Sequence, residues 1–227
     1  MSAPRNGGRY EEAIAMAKTG LAETEKLYGP NSHNAADANL MLGDLYYENG
    51  SEQDAESYYR QALEIYRETP AENPEKMSIV MIKMAGLCGY PESRDIYKEA
   101  ISALERSYGI DSSLIPVAMD RLAKLYMNHG EYSAAEELYE DYIELAHTVH
   151  SDDDLRIVAA FQKLAGLKFD RAKYIEAGDL YRRALKVCKK TAGIDSPVTI
   201  SIARELAAVY RKIGEEKKAI DIEGSVK

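Results

Sequence analysis

His147-Thr148-Val149-His150 runs directly into Ser151-Asp152-Asp153-Asp154, the densest group of ligating residue types in the chain. Two histidines three residues apart beside carboxylates fit a metal site. The same acids also fit a helix start, where a serine caps and negative charge meets the positive end of the helix dipole. His150 then falls at a helix end, and the run reads as a surface turn rather than a metal centre. Gly7-Gly8 lacks the lysine and the spacing of a phosphate loop. Nowhere do a nucleophile, a base and an orienting group come together by spacing. The sequence therefore predicts no catalytic residue, no metal, no cofactor and no enzyme activity.

Cys88 and Cys188 stand 100 residues apart. Two scattered thiols, and an opening MSAPRNGG without a signal-type apolar stretch, predict a reducing compartment such as the cytoplasm. Both are expected to be buried structural thiols, with redox sensing as the alternative. No apolar run reaches the roughly 18 to 20 residues that span a bilayer, so membrane insertion is not expected. The net charge is −9, which argues against a phosphate backbone as the main partner. Residues 1–154 hold 13 Lys and Arg against 29 Asp and Glu, whereas residues 155–227 hold 16 against 9. That asymmetry is either a drift of surface charge or a polarity able to orient a partner or a second copy. The basic end keeps RNA binding as a minor alternative.

What positions any site is a repeat. Ala13, Ala55, Ser93, Ala135, Ala177 and Ala219 recur at steps of 42, 38, 42, 42 and 42 residues. A period of this size means stacked helical units, none able to bury its apolar face alone. In the second unit, Leu40 to Tyr47 carry apolar residues at helical spacing, and Asn49-Gly50 stops them. Ser51-Glu52-Gln53-Asp54 has the form of a capping box. Ala55, Tyr58, Tyr59, Ala62, Leu63, Ile65 and Tyr66 then mark a second buried face. Small residues at Gly43, Ala85, Ala123, Ala165 and Ala207 predict close helix approach. Gly29, Gly109 and Gly193 follow the second helices. Asn73-Pro74 and Ser196-Pro197 read as caps before a first-turn proline. The unit spanning 77–108 lacks four residues, and Cys88 fills a slot held elsewhere by Tyr46, Tyr126 and Tyr210, so a shortened first helix is expected there.

A Leu and a small residue, then an aromatic, then Ala, aromatic and Ala on the next helix, resemble the tetratricopeptide repeat. The 42-residue period, with Gly109-Ile110-Asp111 and Gly193-Ile194-Asp195 as linkers, resembles its longer, kinesin-light-chain-like variety. The resemblance implies an all-α, right-handed superhelical solenoid of antiparallel helix pairs, about eleven helices in all. Residues 1–8 are expected to be a flexible lead, and 9–227 one solenoid. A lone second helix at 9–28 precedes pairs at 32–69, 74–108, 112–149, 152–191 and 195–224.

The resemblance also implies a concave groove, lined by first helices, that binds a protein or peptide partner. Leu40, Asp44 and Tyr47 are its candidates on the first pair, and Ile82 and Gly86 on the second. Asp120, Lys124 and Met127 follow, then Gln162, Gly166 and Phe169, then Arg204, Ala208 and Arg211. The Lys and Asn that clamp a C-terminal carboxylate in chaperone-binding relatives are absent. So are the paired asparagines of kinesin light chains: Leu40-Met41, Asp120-Arg121 and Arg204-Glu205 stand there. Lys124, Arg204 and Arg211 beside Met127 and Phe169 predict an acidic peptide with an apolar anchor. The expected function is a non-enzymatic interaction scaffold. The alternative is a structural protein stacking end to end through uncapped terminal helices as a homo-oligomer.

Overall fold

The computed structural model describes residues 7–68, 72–149 and 155–226. Among them lie eleven α-helices, a single 3-10 turn and no strand. They are α1 (Gly7–Tyr28), α2 (His33–Glu48), α3 (Glu52–Glu68), α4 (Pro74–Ala85) and α5 (Glu92–Tyr108). After the 3-10 turn Gly109–Asp111 come α6 (Leu114–Asn128), α7 (Tyr132–Val149), α8 (Leu155–Asp170) and α9 (Tyr174–Thr191). The last two are α10 (Pro197–Lys212) and α11 (Glu216–Gly224). No helix among the described residues is long and apolar enough to cross a membrane. The chain divides into two compact units, 1–122 and 123–227, with the division inside α6.

In the first unit, each of α1 to α5 packs on its neighbours in chain order. Leu42, Ala55, Tyr59, Leu63, Tyr66, Met81, Met84 and Leu104 form the core, each 2% exposed or less. These are the residues that the helical period sets on one face. Gly43 is required: a Cβ there would stand 2.5 Å from Cδ1 and Cε1 of the Tyr59 ring. At α5 the usual alanine is Ser93, whose buried hydroxyl donates to the Ala85 carbonyl at 2.6 Å. The hydroxyl thereby keeps a partner in the apolar interior. As expected from the missing residues, α4 is short, with 12 residues against 16 in α2.

Capping departs from the sequence expectation in two places. Neither Asn73 nor Ser196 makes a side-chain cap, although proline opens the helix after each. The Asn73 amide instead lies 3.1 Å from His33 Nδ1. At α10 the Thr199 hydroxyl donates to the Gly193 carbonyl at 2.7 Å. Ser32 caps α2, accepting from the Ala35 amide at 3.2 Å and donating to the Gly29 carbonyl at 2.8 Å.

In the second unit α7 to α11 again pack in sequence. Ile157, Phe161, Ala165, Ala184, Cys188, Ile202 and Leu206 are essentially inaccessible. The turns within pairs use positive φ at Gly50, Gly130 and Gly214. Between α8 and α9 the equivalent residue is Ala172, with φ at 57°.

Candidate functional site

In the first unit a small cradle is formed by residues of α2, α3, α4 and α6. It encloses about 200 Å³ and is lined by Tyr47, Tyr59, Lys83, Gly86 and Arg121. Its floor is set by a three-membered network. Tyr59, buried to 2%, donates its hydroxyl to Asp44 at 2.7 Å. Lys83 Nζ reaches the same carboxylate oxygen at 2.6 Å. Burial and the Asp44 carboxylate push the Tyr59 hydroxyl well above its ordinary pKa, so it stays a donor.

Gly86 leaves the mouth of the cradle open. A Cβ on it would lie 3.5 Å from the Arg121 guanidinium and 3.6 Å from the Tyr97 hydroxyl. Arg121 hydrogen-bonds that hydroxyl, and burial holds the Tyr97 pKa up against the nearby cation. Tyr47 forms a wall, 54% exposed. One carboxylate is thus engaged by Tyr59 and Lys83, and the same cradle is lined by Arg121 and the Tyr47 ring. Such an arrangement accepts a carboxylate in a planar fork and an apolar group beside it.

The sequence candidates divide on inspection. Asp44 and Tyr47 join the cradle, and Gly86 opens it. Leu40 and Asp120 are half-buried nearby in the chain. Ile82 departs from its expected place: it is 5% exposed and belongs to the core, because the shortened α4 carries apolar residues around most of its circumference. In the second unit Lys124 and Arg204 are exposed and Met127 is half-buried. Gln162 donates to Glu205 at 2.7 Å. Phe169 packs edge-on to Tyr174, with ring centroids 5.3 Å apart. Arg211 is held by Glu216 at 3.2 Å and by both oxygens of Glu223 at 2.9 and 2.8 Å.

Lys83 and Arg121 were missed by the sequence reading. They occupy equivalent positions, two residues before Ala85 and Ala123, and the same register holds Met41, Lys163 and Glu205. Cations at three of the five places two residues before the recurring small residue, Lys83, Arg121 and Lys163, are the signal that finds them.

Both thiols are held above the ordinary pKa of cysteine. Burial first, then Glu92 and Glu56, push Cys88 up to about 11. Burial alone raises Cys188. Both stay protonated near neutrality. Among the described residues no three potential metal ligands come together. His147 Nε2 lies 3.2 Å from an Arg183 nitrogen and accepts from it. His150 and Ser151 to Asp154 lie outside the described residues.

Short-turn helix pairs at a 42-residue step, with a polar cradle on the first helices, define a helical-repeat interaction protein. The family models agree: tetratricopeptide-repeat models match residues 5–68 and 156–224, and a further one 117–155. The chain belongs to the tetratricopeptide-repeat family, which indicates a protein-interaction scaffold. It is similar in fold to BtubC (BKLC) from P. vanneervenii, with TM-score 0.67 and 20% identity over 94% of this chain and 87% of that one. A putative kinesin light chain from Podosopora anserina, with nearly identical TPR-like repeats, gives TM-score 0.61 and 17% identity over 86% and 94%. The apo form of RapI gives TM-score 0.69 and 18% identity over 91% of this chain but 56% of RapI. No curated protein sequence matches the chain significantly.

Proposed function

We propose that this protein is a non-enzymatic scaffold whose first-helix faces take an acidic segment of a partner protein with an apolar anchor. The observation that carries this is the Gly86 opening, where Arg121 and Lys83 stand beside the exposed Tyr47 ring. A partner carboxylate meets Arg121, and an apolar side chain lies on Tyr47. Leu40, Asp44 and Asp120 border this contact in the first unit. Lys124, Met127, Gln162, Phe169 and Arg204 supply a like set in the second. Arg211 contributes less, because Glu216 and Glu223 already engage it. Two protonated thiols suit a reducing compartment such as the cytoplasm.

The test is anisotropy of a labelled peptide alternating Glu with Leu or Phe. Hydrogen bonds to charged groups contribute about 1.5–3 kcal/mol each. Arg121→Gln is therefore expected to weaken binding by at least tenfold, and Lys124→Glu with Arg204→Glu to weaken it again. Unchanged affinity in folded variants rejects this reading.

Self-association is a second reading, favoured by exposed apolar side chains: Met16 at 75% and Leu27 at 74% on α1, and Ile220 at 59% on α11. A sedimentation coefficient that rises with concentration in low salt and falls back in high salt supports it; a constant monomer value removes it.

A further inference from the structure

The second unit carries a different cleft, between α7 and α9 with α8 at its base. It encloses about 500 Å³. Its walls match one another. On α7, Glu140, Ile143, Glu144 and His147 follow the i, i+3, i+4, i+7 order of a single helix face. On α9, Glu176, Asp179, Leu180 and Arg183 repeat that order. The walls therefore run side by side for two turns, about 10 Å.

The chemistry is layered. Ile143 and Leu164, 7% and 2% exposed, make an apolar floor with the half-buried Leu180. Above it stand the carboxylates of Glu140, Glu144, Glu176 and Asp179. Lys168 at the base is 9% exposed and already satisfied by Glu136 at 2.6 Å. It also holds Glu140 and Glu176 at 3.1 Å each, yet those two carboxylates remain 50% and 55% exposed. Asp179 pairs with Arg182 on its own helix and is 57% exposed. Arg183 closes one end, its guanidinium 4.4 Å from the Phe161 ring centre and bonded to His147.

General charge drift does not account for this rim. Residues 155–227 are basic overall, yet α9 turns its acids toward the cleft. α7 holds five acids and no lysine or arginine. With four carboxylates against Lys168 and Arg183, the cleft is net negative, and a net-negative surface attracts cationic ligands.

We propose that this cleft is a second binding site, for a short basic segment of a partner protein that seats one bulky apolar side chain between lysines or arginines. The apolar side chain fills the floor over Ile143, Leu164 and Leu180. The flanking cations pair with Glu144 and Asp179 on opposite walls. The preference is opposite in sign to that of the Arg121 cradle, so the two sites take different ligands.

The test uses the full chain and a fluorescein-labelled peptide Gly-Lys-Arg-Leu-Arg-Lys-Gly at 0.15 M salt. Glu144→Gln with Asp179→Asn removes two charges at similar volume and leaves the Glu136–Lys168 cluster intact; circular dichroism confirms the fold. Anisotropy is expected to show saturable binding, at least tenfold weaker for the double variant. A peptide with serine in place of leucine is expected to bind at least fivefold more weakly. Equal binding of the serine peptide reduces the effect to diffuse charge attraction and overturns the proposal. So does equal affinity in the folded double variant, or no binding by the wild type. A second variant, Leu180→Ser, leaves every charge in place and must weaken the leucine peptide selectively.

Discussion

Glu136 and Lys168 meet at 2.6 Å with side chains only 8% and 9% exposed. Arg171 and Lys173 reach the same carboxylate at 2.6 and 3.1 Å. Lys168 lies 42 residues after Tyr126 and 42 before Tyr210, in a slot that is aromatic in three helix pairs. A lysine there brings a charge into the packing. A buried charge persists only when paired, and Glu136 on α7 supplies the pair.

The pairing predicts an acid-sensitive fold. Burial alone would raise the Glu136 pKa, but Lys168, Lys173 and Arg171 outweigh it and hold the group down at about 2, against an ordinary 4.5. A depressed folded-state pKa contributes stability that is complete above about 4.5. That stability declines as pH falls toward 2 and is gone below it, a total of about 3 kcal/mol. Urea unfolding at pH 7, 4.5 and 3 measures it. Glu136→Gln is expected to be less stable than wild type at pH 7, by a margin that narrows to less than half as pH drops to 3. Parallel stability profiles for the two proteins would contradict the assignment.

Gly43 and Tyr59 predict a steric effect. The Tyr59 ring is 2% exposed and tethered through its hydroxyl to Asp44, so it cannot swing away from a Cβ at 2.5 Å. Gly43→Ala should cost about 1–3 kcal/mol despite alanine's better helix propensity. A double-mutant cycle with Tyr59→Phe tests the tether: freeing the ring should shrink the alanine penalty. A neutral or stabilising Gly43→Ala in thermal melts removes the argument.

The turn before α9 predicts the opposite sign. Ala172 holds φ at 57°, a conformation met by glycine at Gly50, Gly130 and Gly214. An L-residue there costs about 1 kcal/mol relative to glycine. Ala172→Gly should raise stability by about 0.5–1 kcal/mol, part of the gain being offset by the freer unfolded chain. Chemical denaturation of the single variant decides it, and a loss of stability would mean that the strain is relieved elsewhere.

Much of the helix order was legible because the 42-residue step repeats both the apolar face and the glycine stops. Side-chain partners were less so. Assigning Ile82 to a solvent face followed the register of Leu40, but a short α4 with apolar residues on most sides buries it. Lys83 and Arg121 escaped because one residue along a helix rotates the side chain by about 100°, and the register chosen was one position away. Lys168 escaped for a different reason: its partner Glu136 lies 32 residues away, and only the packing of α7 on α8 brings them together. Caps were read from residue type, yet Asn73 turns to His33 instead.

Gly86 offers the sharpest test of the cradle, because it separates shape from charge. It is exposed and has φ of −69°, a helical value that any residue adopts, with the Lys83 carbonyl oxygen 3.3 Å from where a Cβ would stand. A leucine there adds a branch beside Arg121 and the Tyr97 hydroxyl, the neighbours of its Cβ position. Gly86→Leu should leave the melting temperature within a few degrees of wild type, since surface changes are usually within about 0.5 kcal/mol. It should nevertheless weaken the acidic peptide at least tenfold by filling the opening. Arg121→Gln keeps the opening and loses the fork, so the two variants fail for different reasons and should not be additive. The basic peptide, held in the other unit by Glu144 and Asp179, should bind both variants as it binds wild type. If Gly86→Leu binds the acidic peptide normally while Arg121→Gln does not, the carboxylate reaches Arg121 by another path and the cradle is not its seat.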